Sequence, residues 1–349
     1  MSFKDNIRCV TPYTPGEQPQ RKVIKLNTNE SPYPPSPQVV EAIRAIKASK
    51  LRLYPDPDCR ELRETLAEEY GLEPEEVFVG VGSDDVLSMC FLTFFAGKKP
   101  VLFNDITYSF YEVWADVYRI PFETVPLRED FSFDPEGFLK ENGGIVICNP
   151  NAPTSLEAEL ADIEKVVAEN QDSVVLIDEA YVDFGARTAL PLLKKYPNVV
   201  IVRTMSKSRA LAGMRVGYAF GSKELIKALH DVKFSVNSYT LNMPALAAGV
   251  AAANDREYFE ETVDRVLVTR EKTKEALRSF GFVVPESRTN FLFVRPPVSV
   301  TAEKLFEELK EKDIYVRYFK KPRLSDYLRI TIGTDAEMQQ FVKVLQDIL

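Results

Sequence analysis

Lys207 lies in Ser206-Lys207-Ser208, just past the apolar, β-branched run Val199–Val202. A second apolar run, Val174–Ile177, leads straight into Asp178-Glu179 and Ala180-Tyr181. Both runs read as buried strands. A lysine beside a buried strand end is pushed toward its neutral form, and a neutral amine attacks aldehydes. A carboxylate at the carboxyl end of a parallel strand faces the crevice where α/β folds bind ligands. Alone, Lys207 reads as one of many solvated lysines, and Asp178 as a helix cap or a Mg²⁺ ligand. On successive strands they suggest an imine-forming amine and an acid partner for a ring nitrogen. Pyridoxal phosphate needs both.

Other stretches offer groups to the same chemistry. Gly80–Asp85, GVGSDD, opens a helix over Val86–Phe95, and free amides at a helix start favour phosphate. The alternative is a loop that only turns the chain and caps the helix. Arg215 follows Lys207 within the loop. Thr107-Tyr108 supplies a ring that can stack on a flat cofactor, and Asn149–Ser155 ends a strand with amides toward the crevice. Asn27, Asn29 and Glu30 either line a site or do ordinary turn chemistry. Arg317 and Arg329 sit in apolar strands, where an unpaired charge is expensive. The only histidine, His230, excludes a multi-histidine metal site and reads as a surface residue of a helix.

The elements that must position these groups follow from patterning. The chain has 349 residues, enough for one large and one smaller α/β unit. Residues 1–37, rich in Pro and Asn, read as an extended arm. Residues 38–255 read as a large domain that begins with a helix over Pro37–Ser49. Its strands are expected at Val77–Val79, Val101–Asn104, Thr124–Leu127, Gly144–Cys148, Val174–Ile177, Val199–Arg203 and Val216–Phe220. Helices are expected between them, at Ser109–Val117 and near Leu160–Glu169 among others. That alternation argues for a mostly parallel sheet covered on both faces. A small-residue helix over Pro244–Ala253 precedes a long one, Tyr258–Phe280, within a linker helix and small domain at 256–349. That domain holds strands NFLFVRP, IYVRYF and YLRITIG and a closing helix.

Composition narrows the partners. A net charge of -8 argues against nucleic acid and anionic membranes as partners. Four cysteines without CxxC spacing suggest neither disulfides nor zinc. With no apolar run of membrane length and no signal-like start, cytoplasm is the expected location.

SPYPPSP, YPDPDCREL, GVGSDD, NPNAPT, IDEAY, TMSKSRALAGMRVGY and LRITIGT together resemble, in order and spacing, the histidinol-phosphate aminotransferases, fold-type-I enzymes of pyridoxal phosphate. The resemblance runs from about Tyr13 to the C-terminus. It implies that Lys207 forms the imine with the cofactor, Asp178 partners the pyridine nitrogen and Tyr181 donates to the 3′-oxygen. Tyr108 would stack on the ring; Ser83, Asp84, Ser206 and Arg215 would form the phosphate cup. Tyr54 would reach the cofactor phosphate of the neighbouring subunit in a homodimer. Arg329 would take the substrate's anionic end, with Tyr13, Asn29 and Arg317 near its side chain or phosphate. In one departure, Ala152 stands where most relatives carry the Asn that bonds the 3′-oxygen, leaving Asn151 or Tyr181 alone for that contact. The implied reaction is transamination of histidinol phosphate with 2-oxoglutarate in histidine biosynthesis. Alternatives on the same fold are an aromatic amino acid aminotransferase and a threonine-phosphate decarboxylase. A non-enzymatic ligand domain of a regulator would want a DNA-binding domain and a basic face.

Overall fold

A computed structural model describes residues 2–349; Met1, the first residue of the expected arm, lies outside the described residues. The strands are β1 (Ile24–Lys25), β2 (Val77–Gly80), β3 (Val101–Asn104), β4 (Phe122–Val125), β5 (Gly144–Cys148), β6 (Val175–Asp178), β7 (Val199–Thr204), β8 (Gly217–Gly221), β9 (Phe291–Val294), β10 (Ile314–Tyr315), β11 (Arg317–Tyr318) and β12 (Leu328–Thr331). The α-helices are α1 (Pro37–Arg44), α2 (Arg60–Tyr70), α3 (Gly82–Phe94), α4 (Phe110–Tyr118), α5 (Leu160–Glu169), α6 (Lys223–Val236), α7 (Met243–Asn254), α8 (Arg256–Ser279), α9 (Ala302–Glu311) and α10 (Asp335–Ile348).

Seven strands form one sheet in the order β2-β8-β7-β6-β5-β3-β4. All neighbours are parallel except β8, which runs antiparallel to both β7 and β2. The central strands are buried along their whole length, as β-branched runs between two helical layers must be. Successive residues face opposite layers: Leu176 and Val200 join one apolar cluster, Ile177 and Ile201 the other. The α/β architecture and mostly parallel sheet are as the alternating pattern predicts.

Several boundaries differ. α1 stops at Arg44, and Ala48–Lys50 forms a separate 3₁₀ turn, because the polar, basic segment after Ala45 has no continuous apolar face. α3 starts at Gly82, inside the expected loop. β4 pairs at 122–125 rather than 124–127, where its register with β3 is set. The expected strand IYVRYF is broken: Ile314–Tyr315 pairs with β1 of the arm, whereas Arg317–Tyr318 joins β12 and β9 in a three-stranded antiparallel sheet. The arm is therefore stitched to the C-terminal unit by a parallel ladder, not merely laid over the body. His230 is half-buried rather than on the surface. Its ring meets the Phe78 ring edge-on at 5.2 Å and its Nε2 lacks a partner, so burial pushes its pKa down to about 4.

Candidate active site

β5, β6 and β7 end together, and the loops after them wall a cavity of about 500 Å³ whose far side comes from the arm and the C-terminal sheet. Asp178 ends β6, in register with Val202 of β7. The period of two turns the Asp178 side chain into the cavity and Glu179 away from it. Glu179 instead pairs with buried Arg203 at 2.7 Å and accepts from Ala189 N–H at 2.6 Å. That pair anchors the loop carrying Tyr181 on the far side of the sheet.

The Asp178 carboxylate is buried, which pushes its pKa up to about 6. Two donors hold it back from rising further: Tyr111 O–H at 2.7 Å to Oδ2 and Ala180 N–H at 3.1 Å to Oδ1. Tyr111 was not among the sequence candidates. Tyr108 stands just before the N-cap of α4 and Tyr111 in its first turn, and a bond from Tyr111 N–H to Tyr108 O at 3.2 Å draws the two residues together. The two rings meet edge-on at 5.7 Å.

Lys207 follows β7 by three residues, and its Nζ donates to Thr28 O at 3.2 Å. Burial, and then the Arg329 charge, lower its pKa to about 8. Tyr181 also borders the cavity. Asn29 Nδ2 donates to its phenol oxygen at 2.9 Å, which leaves the Tyr181 proton free to donate elsewhere. Burial raises that phenol to about 12, so it remains a donor at neutral pH. Asn29, at φ 57°, is held by Thr331 Oγ1, which donates to its Oδ1 at 2.9 Å.

Ser83, Asp84, Ser206 and Arg215 meet at the other end of the cavity. The first turn of α3 offers free amides there. Asp84 accepts from Tyr108 O–H at 2.8 Å and pairs with Arg215 at 3.2 Å, so one carboxylate orients both the stacking ring and the guanidinium. Two glycines allow the closeness of these chains. A Cβ on Gly82, at φ +81°, would lie 2.5 Å from Arg215 Nη2, and one on Gly217 would lie 2.2 Å from the Gly82 carbonyl carbon.

Arg317 and Arg329 are cross-strand partners on β11 and β12. Arg329 Nη2 donates to Asn27 O at 2.8 Å, its Nε is buried without a partner, and Phe291 and Phe319 lie 5.3 and 5.6 Å from its guanidinium. Arg317 donates to Thr14 O at 3.2 Å. Tyr13 stacks on Phe110 at 4.2 Å and reaches the cavity wall.

Two candidates stand apart. Asn151 does not face the cavity; Ala152 does. The Asn151 amide is consumed within its own turn, donating to Ile106 O and Thr154 Oγ1 and accepting from Thr107 Oγ1. Its expected contact with a cofactor oxygen is therefore corrected, because a fully bonded turn amide has nothing left to offer. Tyr54 is 79% exposed and stacks on Tyr239 at 4.4 Å, outside the cavity of its own chain.

The sequence profile of aminotransferases of class I and II matches residues 21–345, and the chain belongs to this family. Histidinol-phosphate aminotransferases are its close relatives. One, from Clostridium acetobutylicum, is 50% identical over 346 residues, spanning 99% of this chain and 98% of the relative. Another, from Lactococcus lactis subsp. cremoris, is 50% identical over 350 residues, spanning 100% and 98%. Among solved structures, the Sinorhizobium meliloti histidinol-phosphate aminotransferase in complex with pyridoxal-5′-phosphate matches with a TM-score of 0.86 and 25% identity, over 94% of this chain and 92% of that one. A mutant aspartate aminotransferase of Thermus thermophilus shares the fold at a TM-score of 0.80 and 21% identity, over 94% and 97%.

Proposed function

We propose that the chain transaminates histidinol phosphate, with pyridoxal phosphate carried by Lys207 and 2-oxoglutarate as the amino acceptor. The observation that carries the reading is one cavity holding a softened amine, a hydrogen-bonded buried carboxylate and two separate cationic ends. The donor set fits pyridoxal phosphate: an amine for its aldehyde, an acid for its ring nitrogen, and a cup of amides, hydroxyl and guanidinium for its phosphate. When bound there, this group supplies the aldehyde that condenses with amines and a ring that accepts the electron pair of a broken C–H bond.

The chain's own residues do the rest. Asp178, ionised above about pH 6, holds a proton on the ring nitrogen. Tyr108 would cover one face of the ring, and Tyr181, whose oxygen accepts from Asn29, would donate its proton toward the ring oxygen. With the cofactor bound, the incoming amine would take the place of Lys207 Nζ on its aldehyde carbon, and the freed Lys207 amine would then serve as the base that takes the donor's carbon-bound proton. Arg329 and Arg317 hold the substrate's anion: a phosphate in one half-reaction, a carboxylate in the other.

The same reading includes a homodimer. Leu51, Leu53, Tyr54, Val236 and Tyr239 are exposed apolar groups around one stacked pair of rings, which supports a surface for a second copy whose cavity Tyr54 completes. It also includes the division into arm, large domain and small domain at 37/38 and 255/256, and a cytoplasmic location. Four unpaired cysteines, and the lack of any helix among the described residues long and apolar enough to cross a membrane, support that location. The experiment is single-turnover spectroscopy of the purified, loaded protein with histidinol phosphate, phenylalanine and threonine phosphate, followed by borohydride and mapping of the labelled lysine. Turnover of histidinol phosphate first, and label on Lys207, are expected. Preference for another donor, or label elsewhere, refutes the proposal.

A further inference from the structure

The cavity wall holds two acceptors that the machinery above does not use, both on the segment from Asn27 to Glu30. Asn27 is 3% exposed and lines the cavity. Its Nδ2 donates to Glu17 O at 2.9 Å, which fixes the amide, and its Oδ1 is buried with no partner. A buried amide oxygen without a donor is costly, and such an atom in a ligand cavity marks where a donor is to come from. Glu30 is one of three carboxylates on the wall. Asp178 is tied to Tyr111 and Ala180, and Asp84 to Tyr108 and Arg215. The Glu30 carboxylate pairs with Lys25, 2.5 Å away and not a wall residue, and Thr28 and the Lys207 charge also favour its ionised form.

All other strong groups on this side of the cavity, Lys207, Arg317 and Arg329, are donors. They suit anions and repel a ring that brings its own N–H. Resting on the substrate reading above, we propose that Asn27 and Glu30 form the acceptor pair that reads the N–H groups of the donor's imidazole ring. An imidazolium brings two N–H groups, so an amide oxygen and a carboxylate on one segment match it, whereas a neutral imidazole satisfies one of the two. A phenyl ring in the same place would leave the Asn27 oxygen without a donor and Glu30 with no partner from the ligand. A site built on hydrogen bonds rejects the analogue that lacks them far more strongly than an apolar pocket rejects a change of shape. This pair would make the cavity an imidazole site rather than a general aromatic one.

The test uses the loaded chain and two amine-free probes, imidazolylpropyl phosphate and phenylpropyl phosphate, with dissociation constants read by calorimetry. Preference for the imidazolyl probe by about 100-fold or more is expected of the wild type. Glu30→Leu and Asn27→Leu, which each remove an acceptor, should each shrink the preference by about tenfold, whereas Asn27→Asp, which keeps an acceptor, retains it. Lys25→Met breaks the ion pair but leaves the Glu30 carboxylate in the wall, and should also retain it. Equal weakening of both probes in Glu30→Leu, or loss of preference in Lys25→Met, overturns the proposal, because each marks a structural role for the pair. A wild type that turns over histidinol phosphate yet binds both probes within threefold refutes the ring reading alone. A wild type that does not turn over histidinol phosphate refutes the substrate reading on which it rests.

Discussion

Arg329→Lys keeps the charge at the substrate end of the cavity and removes the fork. In the wild type one N–H of five is spent, on Asn27 O at 2.8 Å, and the buried Nε has no protein partner. Phe291 and Phe319 flank the guanidinium and hold its plane. The free edge is therefore set for two parallel charge-assisted bonds to a carboxylate or phosphate. Lysine offers a point charge on a flexible stem and forfeits one such bond, worth about 1.5–3 kcal/mol in a desolvated site. It also forfeits most of the ring contact, about 0.5–1 kcal/mol. The sum, about 2–4 kcal/mol, corresponds to a slowing of about 30- to 1,000-fold. Because one arginine must accept anions from both substrates, both half-reactions should slow. The assay is stopped-flow absorbance of each half-reaction separately, with histidinol phosphate and then with 2-oxoglutarate. Rates within threefold of wild type in both would refute the reasoning and leave Arg329 as a structural tie between β12 and the arm. Slowing of the histidinol phosphate step alone would reassign the carboxylate to another residue.

Further predictions concern the other parts of the site. Reconstitution of the apoprotein with pyridoxal phosphate should slow about tenfold per pH unit below about 8, because only the neutral Lys207 amine attacks; a flat rate between pH 6 and 8 contradicts the softened amine. Asp178 has a folded-state pKa of about 6 against an ordinary value of 3.8, so the fold binds this proton more tightly than the unfolded chain does, and stability is lost as pH rises through that window. Asp178→Asn should thus stabilise the apoprotein by roughly 1–3 kcal/mol at pH 8 but not below pH 4, while weakening cofactor binding; identical urea midpoints at both pH values would exclude this. Gly217→Ala should cost about 1–3 kcal/mol and loosen the phosphate cup, since its Cβ meets backbone that cannot swing away; unfolding midpoint and cofactor affinity should fall together. A mixed dimer of Tyr54→Phe and Lys207→Ala subunits should carry one intact site and exceed the activity of either mutant homodimer; no recovery on mixing argues against a shared site.

Local patterning carried much of this protein. β-branched runs bounded by polar turns announce β5, β6 and β7, and the residues just past their ends, Asp178 and Lys207, are where a parallel sheet exposes side chains. Glycines before Ser83 likewise announce a helix start that can take an anion. These are properties of neighbours along the chain, so a sequence displays them. What the sequence leaves open is which polar groups meet across long separations. Tyr111 reaches Asp178 across 67 residues, and Asn29 reaches Tyr181 across 152. Asn151 and Ala152 differ by one position, yet only the path of their turn decides which of them faces the cavity. The run Ile314–Tyr318 reads as one strand, but two different partners, the arm and β12, divide it at Val316. Apolar periodicity sets which face is buried. It carries no information on which hydrogen-bond donor packs against which acceptor, and that pairing, made only when the sheet, the arm and the C-terminal strands close on one cavity, sets the charge states of Lys207 and Asp178.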